Sequence, residues 1–136
     1  MTEAEFQQWQ QAVPLTIRED RLWRSAAYRL AVCVADTSKV DVRLIRSNRE
    51  LHANAQQLHR ALSSISANIA EGYQRRGRDR ARFFGYALGS ARESRNWYFL
   101  SREALGDPRA LERASLLSRI IQLLVVMEAR EHRDTA

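Results

Sequence analysis

The sequence predicts an all-α protein: an up-down antiparallel four-helix bundle behind a short N-terminal helical arm. Three observations carry that expectation. Only two prolines and five glycines interrupt the 136 residues, so long helices are permitted almost throughout. No segment shows the two-residue alternation of a half-buried strand. Apolar residues recur instead at steps of three and four. The clearest run is Leu51, Ala55, Leu58, Leu62, Ile65 and Ile69, a heptad seam. The length fits one domain, divided into an arm over 1–15, a bundle over 16–133 and a tail over 134–136.

Each element has its own signal. In the arm, Thr2 and Glu5 have capping-box spacing; Phe6, Trp9 and Val13 share a weak apolar side, and Pro14 ends it. Thr16 and Glu19 repeat that spacing and are expected to open the first long helix. There Trp23, Ala27, Leu30 and Val34 lie on one face, and the helix fades near Thr37 to Lys39. The stretch VDVRLIRSN reads as a link, with Asp41 or Asn48 as the cap of the second helix. Gly72 or Gly77 ends that helix. Asp79 is the expected cap of the third helix, where Phe84, Leu88, Ala91 and Tyr98 form one row and Phe83, Ala87, Ser90, Ser94 and Trp97 another. Gly106 and Asp107 make a turn, and Pro108 suits the first position of the fourth helix. Two apolar rows mark that helix: Leu116, Ile120, Leu123 and Met127, and Ala114, Leu117, Ile121 and Leu124. They fit either a subunit contact or a thick core. Short turns between the last three helices imply antiparallel packing.

The formal charge is +6 and Lys39 is the only lysine. Arginine suits phosphate because its planar fork donates two hydrogen bonds at once; a GC-rich coding bias also favours it. Clustering says more than the total: Arg75, Arg76, Arg78, Arg80 and Arg82 fall within eight residues, opposed only by Asp79. Cys33 is alone in an apolar run, which points to core packing and a reducing cytoplasm. No apolar run approaches the ~20 residues of a membrane span.

Catalytic and metal patterns are missing. No Glu-x-x-His pair of the di-iron bundles occurs. His52 and His59 are two helical turns apart beside the seam and, with Gln56, read as a polar flank. There is no Gly-rich phosphate loop followed by lysine and no Gly-x-Ser-x-Gly elbow. Glu71 and Glu93 are the best carboxylates for chemistry, and a structural pair is the simpler reading of them. The expectation is a protein that is not an enzyme, with no cofactor and no metal.

The stretches QLHRALSSISANIAEGYQRR and RFFGYALGSARES resemble the four-helix bundle family of the 23S rRNA intervening-sequence proteins, which is related to accessory proteins of diversity-generating retroelements. Asn68, Ile69, Ala70, Glu71 and Gly72 match one family motif; Ala87, Gly89, Ser90 and Glu93 match a second; Leu22, Trp23 and Ala26 fit the opening helix loosely. Ser66 stands where many relatives carry proline, so a kink in the second helix is expected to be reduced. The link before that helix is longer than usual, and residues 1–15 have no counterpart. The resemblance implies a ring of bundles, usually five subunits, and in one branch a basic partner of a reverse transcriptase.

Two functional expectations follow. The first is a non-enzymatic homo-oligomer, a homopentamer on the family pattern, that binds RNA or DNA beside a larger nucleic-acid enzyme. The alternative is a protein-interaction scaffold without nucleic-acid binding. Arg75, Arg76, Arg78, Arg80 and Arg82 are the candidate phosphate contacts, against a solvated turn that keeps subunits soluble. Asn68, Glu71, Ser90 and Glu93 are expected to bond across the second and third helices, with Arg60, Arg92 or Arg95 as partners.

Overall fold

The computed structural model describes residues 1–135, with side chains through residue 133; most of these residues are helical and no strand occurs among them. The first helix, α1 (Glu3–Ala12), opens on the expected capping box. The Thr2 hydroxyl accepts from the Glu5 amide, and the Glu5 carboxylate accepts from the Thr2 amide at 2.7 Å. Phe6 is buried, and it stacks with Trp9, which stacks in turn with Trp23. Residues 134–136, assigned above to a tail, lie outside the residues whose side chains are described.

The first long helix begins later than its capping signal indicates. Thr16 and Glu19 belong to a single turn, α2 (Leu15–Arg18), followed by a 3₁₀ turn at Arg21–Arg24. Asp20 then accepts from the Leu22 amide, and Ser25 from the Tyr28 amide. These local bonds compete with helix continuation, so α3 (Ala26–Thr37) starts at Ala26 and Trp23 lies outside it.

A second correction concerns residues 39–46. The expected link is a helix, α4 (Lys39–Arg46), with Val42 and Ile45 buried together with Asp41. An aspartate on the apolar row hid the helical period. Asp41 does not cap the next helix. Nor does Asn48: its side-chain oxygen accepts from the Glu50 and Leu51 amides and so closes the turn before α5, whose N-cap position is Leu51, with no side-chain cap bond.

The long helices α5 (His52–Tyr73), α6 (Gly77–Leu100) and α8 (Asp107–Thr135) follow, with a single turn, α7 (Arg102–Leu105), between the last two. The seam on α5 is buried from Ala55 to Ile69, and the helix runs through Ser66 without interruption. α5 and α6 are antiparallel: Asn54 bonds Ser101, Ser64 bonds Ser90, and Gly72 meets Phe84. A Cβ at Gly72 would lie 2.9 Å from the Phe84 ring, so close approach requires glycine here. α6 starts at Gly77 with φ +56°, and Asp79 sits within its first turn rather than as its cap. Gly106, at φ +86°, turns the chain into α8, whose first turn contains Pro108.

α8 packs along α6 and α3, and α5 packs along α6, α3 and α4. Both apolar rows of α8 turn inward. Leu117, Ile120, Ile121 and Leu124 are buried, and Leu116, Leu123 and Met127 pack against them. The width of that face therefore serves a thick core.

Candidate nucleic-acid interface

The α5–α6 turn sets five arginines on one end of the molecule, and the structure divides them. α5 ends at Tyr73, leaving its last carbonyls without helical partners. Arg80 reaches back to them: its Nε donates to the Gly72 carbonyl and its Nη2 to the Tyr73 carbonyl at 2.9 Å. The same guanidinium lies 5.5 Å from the Tyr73 ring centre and contacts Glu131 on α8. Arg80 is thus tied to the end of α5.

Arg75 and Arg82 are paired differently. Arg75 donates to Glu71 at 2.7 Å and to Asp79 at 2.9 Å; Arg82 donates to Asp79 at 2.5 Å. Both guanidiniums lie near the Phe83 ring, at 4.6 and 5.4 Å from its centre. The bond from Arg75 holds the Asp79 carboxyl below its ordinary range, and the bond to Glu71 pushes the Arg75 guanidinium higher still. Arg76 and Arg78 are exposed and make no ion pair among the described residues. Beside the turn, Asp20, Arg21, Tyr73, Gln74 and Arg80 are among the residues that line an open cleft of about 490 Å³.

Of the four residues expected to bond across α5 and α6, one does so within this chain. Ser90 accepts from the Ser64 hydroxyl at 2.6 Å. Asn68 donates to the Ser64 carbonyl of its own helix, Glu71 pairs with Arg75, and the exposed Glu93 accepts from Trp97 one turn on. The named arginine partners lie elsewhere: Arg60 bonds Gln57, Arg92 is exposed, and Arg95 donates to Ser118 on α8.

The strongest buried polar cluster escaped the sequence reading. Asp41 is 0% exposed and accepts from the Tyr98 hydroxyl at 2.7 Å, Arg113 Nε at 2.7 Å and Arg109 at 3.2 Å. Burial, then the charge of Asp41, pushes the Tyr98 hydroxyl above its ordinary range. The only local trace of this cluster is an acid between two valines on a helical row.

Cys33 is fully buried, and burial pushes its thiol up to about 12, so it is no nucleophile at neutral pH. His52 and His59 are exposed on α5. Among the described residues, no group of three or more His, Cys, Asp or Glu could hold a metal ion, and no helix is long and apolar enough to cross a membrane. At the opposite end from the arginine turn, exposed Phe99 and Leu111 flank a groove floored by Ala110 and Ala114.

A family model described as 23S rRNA-intervening sequence protein matches residues 23–123. No curated protein matches the chain. Among solved structures, a crystal structure from Bacteroides thetaiotaomicron VPI-5482 is similar, described as a protein with unknown function from the S23 ribosomal protein family. Its TM-score is 0.69 at 20% identity, over 76% of this chain and 98% of that one. At that identity the likeness concerns the fold.

Proposed function

The chain belongs to the 23S rRNA-intervening sequence protein family, and from that premise we propose that it is a non-enzymatic accessory protein that binds RNA or DNA through the α5–α6 turn. In this reading α3 with α4, α5, α6 and α8 are the four members of an up-down bundle. Five copies form a ring, and the ring works beside a larger nucleic-acid enzyme in the cytoplasm. The observation that carries the reading is the exposure of Arg76 and Arg78 at the turn, where they make no ion pair among the described residues. Phosphate contacts of this kind supply affinity without sequence choice. A ring repeats the pair once per subunit, and several sites on one polymer gain by multivalency. The rings of Tyr73 and Phe83 already carry the protein's own guanidiniums, so the reading includes no base stacking.

The test is binding of single-stranded RNA and DNA across a salt series. Affinity should fall with a log–log slope of roughly −0.7 to −0.9 per phosphate contact. The double substitution Arg76→Gln/Arg78→Gln should flatten the slope by about 1.4–1.8 per engaged subunit, two such contacts, while leaving melting unchanged. Equal binding by the double variant would sink the reading.

A second reading, a protein-interaction scaffold without nucleic-acid binding, is favoured by the groove at the other end. Phe99 is 59% and Leu111 69% exposed there. It would stand if the oligomer forms and no salt-dependent binding is seen.

A further inference from the structure

We infer that Arg75, Arg82 and Phe83 form a phosphate seat, and that the Asp79 carboxylate occupies this seat in the unbound protein. The inference rests on the reading of the arginine turn as a nucleic-acid interface and adds a site with its own internal competitor. Both oxygens of Asp79 are engaged, Oδ2 by Arg75 at 2.9 Å and Oδ1 by Arg82 at 2.5 Å. Two guanidiniums sharing one two-oxygen anion is the arrangement they would make around the non-bridging oxygens of a phosphodiester. The seat is reachable: the side chains of Asp79, Arg75 and Arg82 are 40%, 37% and 55% exposed.

The seat is also prebuilt. Glu71 holds the other side of the Arg75 fork, and the Phe83 ring lies beside both guanidiniums, so neither arginine depends on Asp79 alone for its position. Asp79 stands in the first turn of α6, where helix N–H groups favour a negative charge of either kind. Glu71, Arg75, Asp79 and Arg82 are two acids and two bases. In the free protein their charges cancel, and Arg76 and Arg78 carry the uncompensated charge of the turn. An incoming phosphate must displace Asp79, which holds affinity down.

The decisive variant is Asp79→Asn, which keeps the shape and removes the competing charge. It should bind single-stranded RNA or DNA more tightly than the native protein. Its salt slope should steepen by up to about 0.7–0.9, the increment of one phosphate contact per engaged subunit. Adding Arg75→Gln and Arg82→Gln to that variant should abolish the gain, and the same two substitutions in the native background should flatten the slope there. These two arginine changes keep the test open if Asp79→Asn melts early. If the native protein binds with a salt slope that neither Asp79→Asn nor the arginine pair alters, the seat is overturned while the interface stands. If neither the native protein nor Asp79→Asn binds, both fall. Inorganic phosphate at matched ionic strength is the remaining arm. Should it raise the melting temperature of Asp79→Asn as much as the nucleic acid does, the seat serves free phosphate and its assignment to a polymer is overturned.

Discussion

Asp41 joins three helices through hydrogen bonds from Tyr98 on α6 and from Arg109 and Arg113 on α8. Taking away one partner of such a buried pair leaves the other charged and unpaired, which is worse than never having had the pair. Asp41→Ala should therefore lower stability by about 3–5 kcal/mol in denaturant melts. Tyr98→Phe should cost less, about 1–3 kcal/mol, because it removes one neutral donor. Equal stability of Asp41→Ala would show that solvent reaches the cluster. Cys33 supports a second prediction. Its thiol is raised to about 12 in the folded protein, against about 8.5 unfolded. The folded state retains the proton longer, so stability is intact below about pH 8.5 and falls as pH rises from there toward the folded value. Alkylation by iodoacetamide at pH 8 should proceed at the rate of global unfolding, and rapid labelling of the native protein would contradict this burial.

At the scale of elements, the arm α1 shows how a surface helix is held. Phe6 enters the core, Trp9 stacks on Trp23, and the Trp9 indole donates to Asp36 on α3 at 2.9 Å. That bond, followed by the one from Lys39, holds the Asp36 carboxyl below its ordinary range. A depressed carboxyl stabilises the fold above its unfolded value, near 3.9, and that support is lost as pH falls through the folded value. Docking of α1 should thus weaken below about pH 4. Tryptophan fluorescence should report the change before the far-UV helical signal falls, and Asp36→Asn should remove the separate transition. Coincident transitions in the native protein would mean that the arm does not loosen by itself. The matched family region starts at Trp23, so α1 and α2 lie outside it.

For the whole molecule, the exposed apolar residues decide what is expected of assembly. The rows of α8 that looked wide enough for a subunit contact are used in the core. Exposed apolar side chains remain in several places: Leu15 and Ile17 on α2, Val40 and Leu44 on α4, Tyr86 on α6, Val125 and Val126 on α8, and Phe99, Leu100 and Leu111, of which Phe99 and Leu111 flank one groove. Contiguous apolar surface is uncommon on monomers. Light scattering at micromolar concentration should give a mass several times that of one chain, five times on the family pattern. Phe99→Ser with Leu111→Ser should lower that mass while the helical signal is kept. A monomer in the native protein would refute the ring, and an unchanged oligomer in the variant would move the contact to another face.

The sequence by itself determined the helical class, the seam of α5, the capping box of α1, the turn around Gly106 and the family motifs at Asn68–Gly72 and Ala87–Glu93. Each of these is written in residues a few positions apart, and helical period and capping act over that range. Only the tertiary structure decided the rest. α4 was hidden because Asp41 interrupts an apolar row, and its reason for being there lies 57 residues away at Tyr98. The delayed start of α3 turned on Asp20 and Ser25 winning backbone amides that a longer helix would have used. The five arginines were legible as a cluster, but their separation into a helix-end tie at Arg80, a carboxylate-bridged pair at Arg75 and Arg82, and an exposed pair at Arg76 and Arg78 was not. That separation depends on where α5 stops and on which acids the turn brings within reach, because charge counts along a chain do not record distance, and electrostatic pairing is set by distance.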